Sequence, residues 1–142
     1  MNRRVVLAGV IGLSTHIFLK TPEAAVTDEK GVPLSLIRLI ANPSSFDGRR
    51  LRLAGYLDYN GVDSSVGLYV SEIEGRNFLI SESIDLKLDD AAAKKLVKRY
   101  VILNATFHAP KGNGSEFLNG FLDHISNLKP WNYGDAATAA QP

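Results

Sequence analysis

The stretch FDGRRLRLAGYLDYNG, residues 46–61, decides the fold. It opens on an Asp-Gly turn, runs through ten residues of period two and closes on an Asn-Gly turn. Leu51, Leu53, Gly55 and Leu57 share one face, and Arg50, Arg52, Ala54, Tyr56 and Asp58 share the other. Successive side chains of a strand point to opposite sides, so this reads as a strand with one buried and one wet face. The wet face carries two arginines and a tyrosine, which raises the question of a binding surface.

Upstream, VPLSLIRLIANP has Pro33 at its start and apolar Leu34, Leu36, Ile37, Leu39 and Ile40, the pattern of a helix that stops before Pro43. Downstream, VGLYVSE reads as a second strand around 68–70, EIEGRN as a break, and SIDLKL as a third strand. DDAAAKKLVKRY returns to helix chemistry over 90–99: acids at the amino end and lysines at the carboxyl end match the helix dipole. YVILNATFHA is a fourth strand, PKGNGSE a turn, and FLNGFLDHISNL a fifth strand with Gly120 available for a bend. The period thus changes once, from two to 3.6 and back, between the third and fourth strands. That order predicts a mainly β domain, an OB-fold-like five-stranded small barrel with an N-terminal helix and a helix between strands 3 and 4.

The residues of this layout also carry a resemblance. Asn42-Pro43, Asp47-Gly48, Gly55-Tyr56-Leu57 and the Leu68, Tyr69, Ser71 strand stand where a group of exported bacterial OB-fold-like proteins has them. Residues 34–128 are similar to that group. The resemblance implies the fold, through turn and packing residues, and brings no catalytic set with it.

The remaining organisation is set by the ends. MNRRVVLAGVIGLSTHIFLKTPEAA places two arginines, then a mostly apolar run from Val5 to Leu19, then small residues at Ala24 and Ala25, the order of an export signal. The apolar run is shorter than the roughly 20 residues a spanning helix needs. Residues 1–25 therefore read as an export signal or an N-terminal anchor, by the Sec or the twin-arginine route, and the expected location is periplasmic or secreted. Residues 26–32 read as a linker, 33–131 as the OB-fold-like domain and 132–142 as a disordered tail with too little apolar surface to offset its ordering entropy.

Composition narrows the chemistry. The 142 residues are 45% apolar and 22% charged, with 16 basic and 15 acidic residues and no cysteine. Arg3, Arg4, Lys20 and Glu23 lie in the leader, so the body is close to neutral and has no overall field to attract nucleic acid or an anionic bilayer. Disulfides, thiolate metal sites and a cysteine nucleophile are excluded. No nucleophile elbow, phosphate-cradling glycine loop or paired-carboxylate spacing appears, so the chain reads as non-enzymatic and without a cofactor.

The candidate ligand-binding residues are Arg50, Arg52, Tyr56 and Tyr69. Arginine and tyrosine are enriched at binding hot spots, and the flanking loops 58–66 and 110–116 are rich in Gly, Ser and Asn. The same arginines also fit a solvated face whose charge protects a strand edge. His108 and His124, with Asp123 or Asp85, are conceivable metal ligands, but no short His-x-His pair fixes their geometry, and no metal is expected. The expected partner is a protein, peptide or glycan. The alternatives are an oligonucleotide-binding protein, with nucleic acid disfavoured by the export signal, and a small envelope or assembly protein held by its N-terminal segment, the chain's one expected contact with a membrane.

Overall fold

The computed structural model describes residues 30–61, 65–112 and 117–132. The expected export signal, most of the linker and nearly all of the tail lie outside the described residues.

The central strand β2, Arg50–Tyr59, forms where the sequence alternates. One edge of β2 pairs antiparallel with β5, Arg99–His108, while the other pairs antiparallel with β3, Val66–Tyr69. β3 pairs with β4, Ser83–Leu86; β4 runs parallel to β6, Phe121–Pro130; and β6 returns antiparallel to β5. Following the pairs from β2 through β3, β4, β6 and β5 leads back to β2, so five strands close an OB-fold-like barrel. Closure leaves these five strands with few free edges.

The inward faces fill this barrel as the alternation requires. Leu51, Leu53 and Leu57 of β2 meet Leu68, Ile84, Val101, Leu103, Ala105, Phe107 and Leu122, all at or below 1% exposure. Leu36 and Leu39 of α1, Leu36–Ala41, join the same core, as does Ala93 of α3, Asp90–Leu96.

Five boundaries differ from the sequence reading. Val32–Pro33, expected at the end of a linker and the start of a helix, instead forms a short strand, β1, parallel to Leu51 and Arg52. The helix begins three residues later because Ser35 caps it, its Oγ accepting from the Arg38 amide at 3.3 Å. EIEGRN is not a break: Glu72–Arg76 forms a one-turn helix, α2, capped by Ser71. The helix α3 stops at Leu96 rather than Arg99, since Lys98 takes a left-handed φ of 63° and its amide donates to the Leu57 carbonyl. The fifth barrel strand starts at Phe121, after a turn over 117–120 in which Gly120 has a φ of 86°.

Among the described residues no helix is long and apolar enough to cross a membrane.

Candidate ligand-binding face

The four candidate residues do not form one surface. Arg52 is exposed on the outer wall of the barrel. Arg50 is half-buried and already engaged: its guanidinium reaches across β5 to donate to the His124 carbonyl and the Ser126 hydroxyl of β6. Tyr56 and Tyr69 are buried, at 3% and 0% exposure. The cause is α2, which lies over both rings. Its Gly75 sits so close that an added Cβ would fall 2.7 Å from Tyr56 Cδ1. The expected wet face of β2 is therefore wet only in its first half, and the tyrosines are packing residues rather than contacts for a ligand. Tyr56 also meets Tyr100 edge-on at 5.3 Å between centroids.

Burial has an electrostatic signature. The Tyr69 hydroxyl donates to the Tyr59 carbonyl at 3.3 Å. Removal from water, and then the negative charges of Asp58 and Asp85, push its phenol up to about 12. Burial also raises Tyr56, against the opposing hydrogen bond from Arg76. Because the folded state holds the Tyr69 phenol above its ordinary value of 10.0, this stabilisation is complete below that pH and is lost as pH rises toward about 12. A phenolate absorbance titration is expected to show a late-ionising tyrosine that Tyr69→Phe removes. An unchanged titration in that variant would contradict the burial of this ring.

The open part of the wall is shaped by β6. Between Asn104 and Thr106 of β5, and again between Ile102 and Asn104, β6 carries one extra residue, with His124 and Asn127 at left-handed φ of 47° and 53°. Such bulges bend a strand and re-aim its side chains. The carbonyl exposed at the first bulge is the one Arg50 binds. Beside the second lies a cleft of about 430 Å³, within the range of small-ligand sites. Lys30, Arg52 and Lys129 supply its charge, Asn104 and Asn127 its amides, and Ile102, Leu103 and Leu128 its apolar surface. Arg52 and Asn104 are cross-strand partners, so they stand side by side on the wall.

Of these residues the sequence reading singled out Arg52 alone. Asn104 was visible as a poor strand former inside an alternating strand. Lys30 and Lys129 gave no signal, because only the closed barrel brings them to Arg52.

The histidines do come together, but on each other's partner. His108 Nε2 and His124 Nδ1 lie 2.9 and 2.8 Å from the same oxygen, Asp123 Oδ1. The His124 contact is a hydrogen bond. The buried His108 nitrogen is at ion-pair distance without hydrogen-bond alignment. Burial raises the Asp123 carboxyl, yet the two imidazoles beside it outweigh this and hold the group below its usual value. His108 also stacks on Phe121 at 4.6 Å between centroids, and Lys87 Nζ lies 3.9 Å from the centroid of that same Phe121 ring. Asp85 is elsewhere, accepting from Asn60 at 3.4 Å. Among the described residues no group of three His, Asp or Glu side chains is placed to hold a metal ion.

Compared with protein-family models, curated proteins and solved structures, the chain matches none.

Proposed function

We propose that this chain is an exported, non-enzymatic binding module that recognises a protein, peptide or glycan on the outer wall of its barrel, around Arg52. The observation that carries this reading is the cleft at the second β6 bulge, where Arg52 meets residues from three other stretches of chain. Barrels of this type usually bind through strands two and three and their adjoining loops. Here α2 covers part of that region, which favours the opposite wall. The order of basic, apolar and small residues in 1–25 supports export to the periplasm or beyond, in keeping with the resemblance of residues 34–128 to exported OB-fold-like proteins. An oligonucleotide is the weaker ligand, since single-strand binding rests on stacking bases against aromatic rings and no ring lines the cleft.

The test is capture from an envelope fraction on immobilised full-length protein, with bound material identified by mass spectrometry and glycan analysis. Wild type and Tyr69→Phe are expected to retain the same ligand, and Arg52→Ala to lose most of it. Equal retention by Arg52→Ala, or retention of nucleic acid alone, would overturn the reading. The intact mass of the exported chain reports in parallel whether residues 1–25 have been removed.

A further inference from the structure

Resting on that reading of the wall, we infer that the cleft is an anion site for an acidic peptide segment, one that sets side-chain carboxylates against Lys30, Arg52 and Lys129. Three observations converge on it.

The first is the sign of the lining. Lys30 precedes β1, Arg52 belongs to β2 and Lys129 to β6, yet they border one cleft with no acidic residue among its lining. A solvated surface of ordinary design intersperses both signs, and the chain has 15 acids with which to do so.

The second is the absence of internal partners. Three other cations are engaged within the fold: Arg76 pairs with Glu72, Lys94 with Asp90 at 2.7 Å, and Arg50 donates to the β6 bulge. Among the described residues no carboxylate lies within ion-pair distance of Lys30, Arg52 or Lys129.

The third is Asn104. The residue is 4% exposed and lines the cleft, and its side chain is hydrogen-bonded to no group among the described residues. The amide is not sealed from solvent as His108 Nε2 is, so it is open to a group entering the cleft, and an asparagine in mid-strand forgoes β-propensity. A carboxylate oxygen seated beside Arg52 accepts from this amide. It thereby meets both the fork of a guanidinium, which matches a planar carboxylate, and a neutral donor.

The apolar part of the lining selects among anions. Ile102 and Leu128 offer contact to the aliphatic stems and backbone of a peptide beside its carboxylates, whereas a nucleic acid would find no ring for its bases.

The experiment titrates full-length protein with an oligo-glutamate peptide, its oligo-glutamine counterpart and inorganic phosphate, followed by NMR and calorimetry. The glutamate peptide is expected to bind, to shift the Arg52, Asn104 and Asn127 side-chain signals, and to weaken as salt shortens the screening length. Arg52→Gln and Lys129→Gln should each reduce affinity roughly three- to tenfold, with unchanged thermal melting, while Lys94→Gln should change nothing. Glutamate binding that survives the Arg52→Gln, Lys129→Gln double variant would overturn the inference. Phosphate binding at these residues without glutamate binding would also overturn it, by reassigning the cleft to phosphate. Equal binding of the glutamine peptide would remove the anion specificity and leave the recognition wall standing. If no probe binds while envelope material is still captured through Arg52, the acidic-peptide inference alone falls.

Discussion

Gly120→Ala is expected to destabilise the fold by about 3 kcal/mol, from roughly 1 to 2 for a left-handed backbone without glycine and about 1 to 3 for overpacking. Gly120 combines two demands: a φ of 86°, and a position where an added Cβ would fall 2.2 Å from the His108 carbonyl and 3.0 Å from the Phe107 ring. The carbonyl belongs to the backbone of β5, directly beside the His108–Phe121 pair that opens β6, so relief requires moving a strand. Gly48 is the matched control. Its φ is 71°, but nothing lies within 4 Å of its added Cβ, and Gly48→Ala should show the backbone part alone. Denaturant midpoints of both variants decide the matter, and equal losses would contradict the clash.

Phe107→Ala is expected to cost about 3 to 5 kcal/mol, the range for truncating a fully buried aromatic. That is a large share of a net stability of about 5 to 15 kcal/mol. Phe107 is 0% exposed and among the largest fully buried side chains. Its backbone is also committed, its amide donating to the Arg49 carbonyl at 3.1 Å and its carbonyl accepting from Gly48 at 2.8 Å. Phe107→Leu, which keeps most of the volume, should cost under about 1.5 kcal/mol. Denaturant unfolding separates the two. A small loss in Phe107→Ala would mean that the barrel collapses around the site.

The barrel was legible because its signals are local. The period-two runs over Arg50–Tyr59 and Tyr100–His108, and the one period-3.6 run between strands, are each complete within a dozen residues. The site was legible only at Arg52. Alternation assigns Tyr56 to an outer face but is blind to what covers that face, and the cover, α2, is a single turn with no apolar periodicity to betray it. One signal did exist. Ser71 and Glu74 have capping-box spacing, and in the structure the Ser71 hydroxyl donates to the Glu74 carboxylate while its Oγ accepts from Ile73 at 3.3 Å. The bulges of β6 were hidden for a different reason: each is a mismatch in length between two strands, and neither strand shows it alone. Lys30 and Lys129 stand almost a hundred residues apart in the chain, and no local pattern relates them.

The pairing scheme also sets an order in time. β2 meets β3 across a short turn, with Tyr59 opposite Val66, but its other edge is filled by β5, with Arg50 opposite Thr106. The first pairing closes a small loop; the second waits until more than fifty intervening residues have been brought round, and loop entropy must be overcome before the contacts reward it. Until that moment β2 has an open edge, and Arg52, Asn104 and Lys129 belong to separate parts of the chain. The cleft is thus assembled by the slow, long-range step of folding. A chain arrested before closure would keep its hairpin and have no cleft at all.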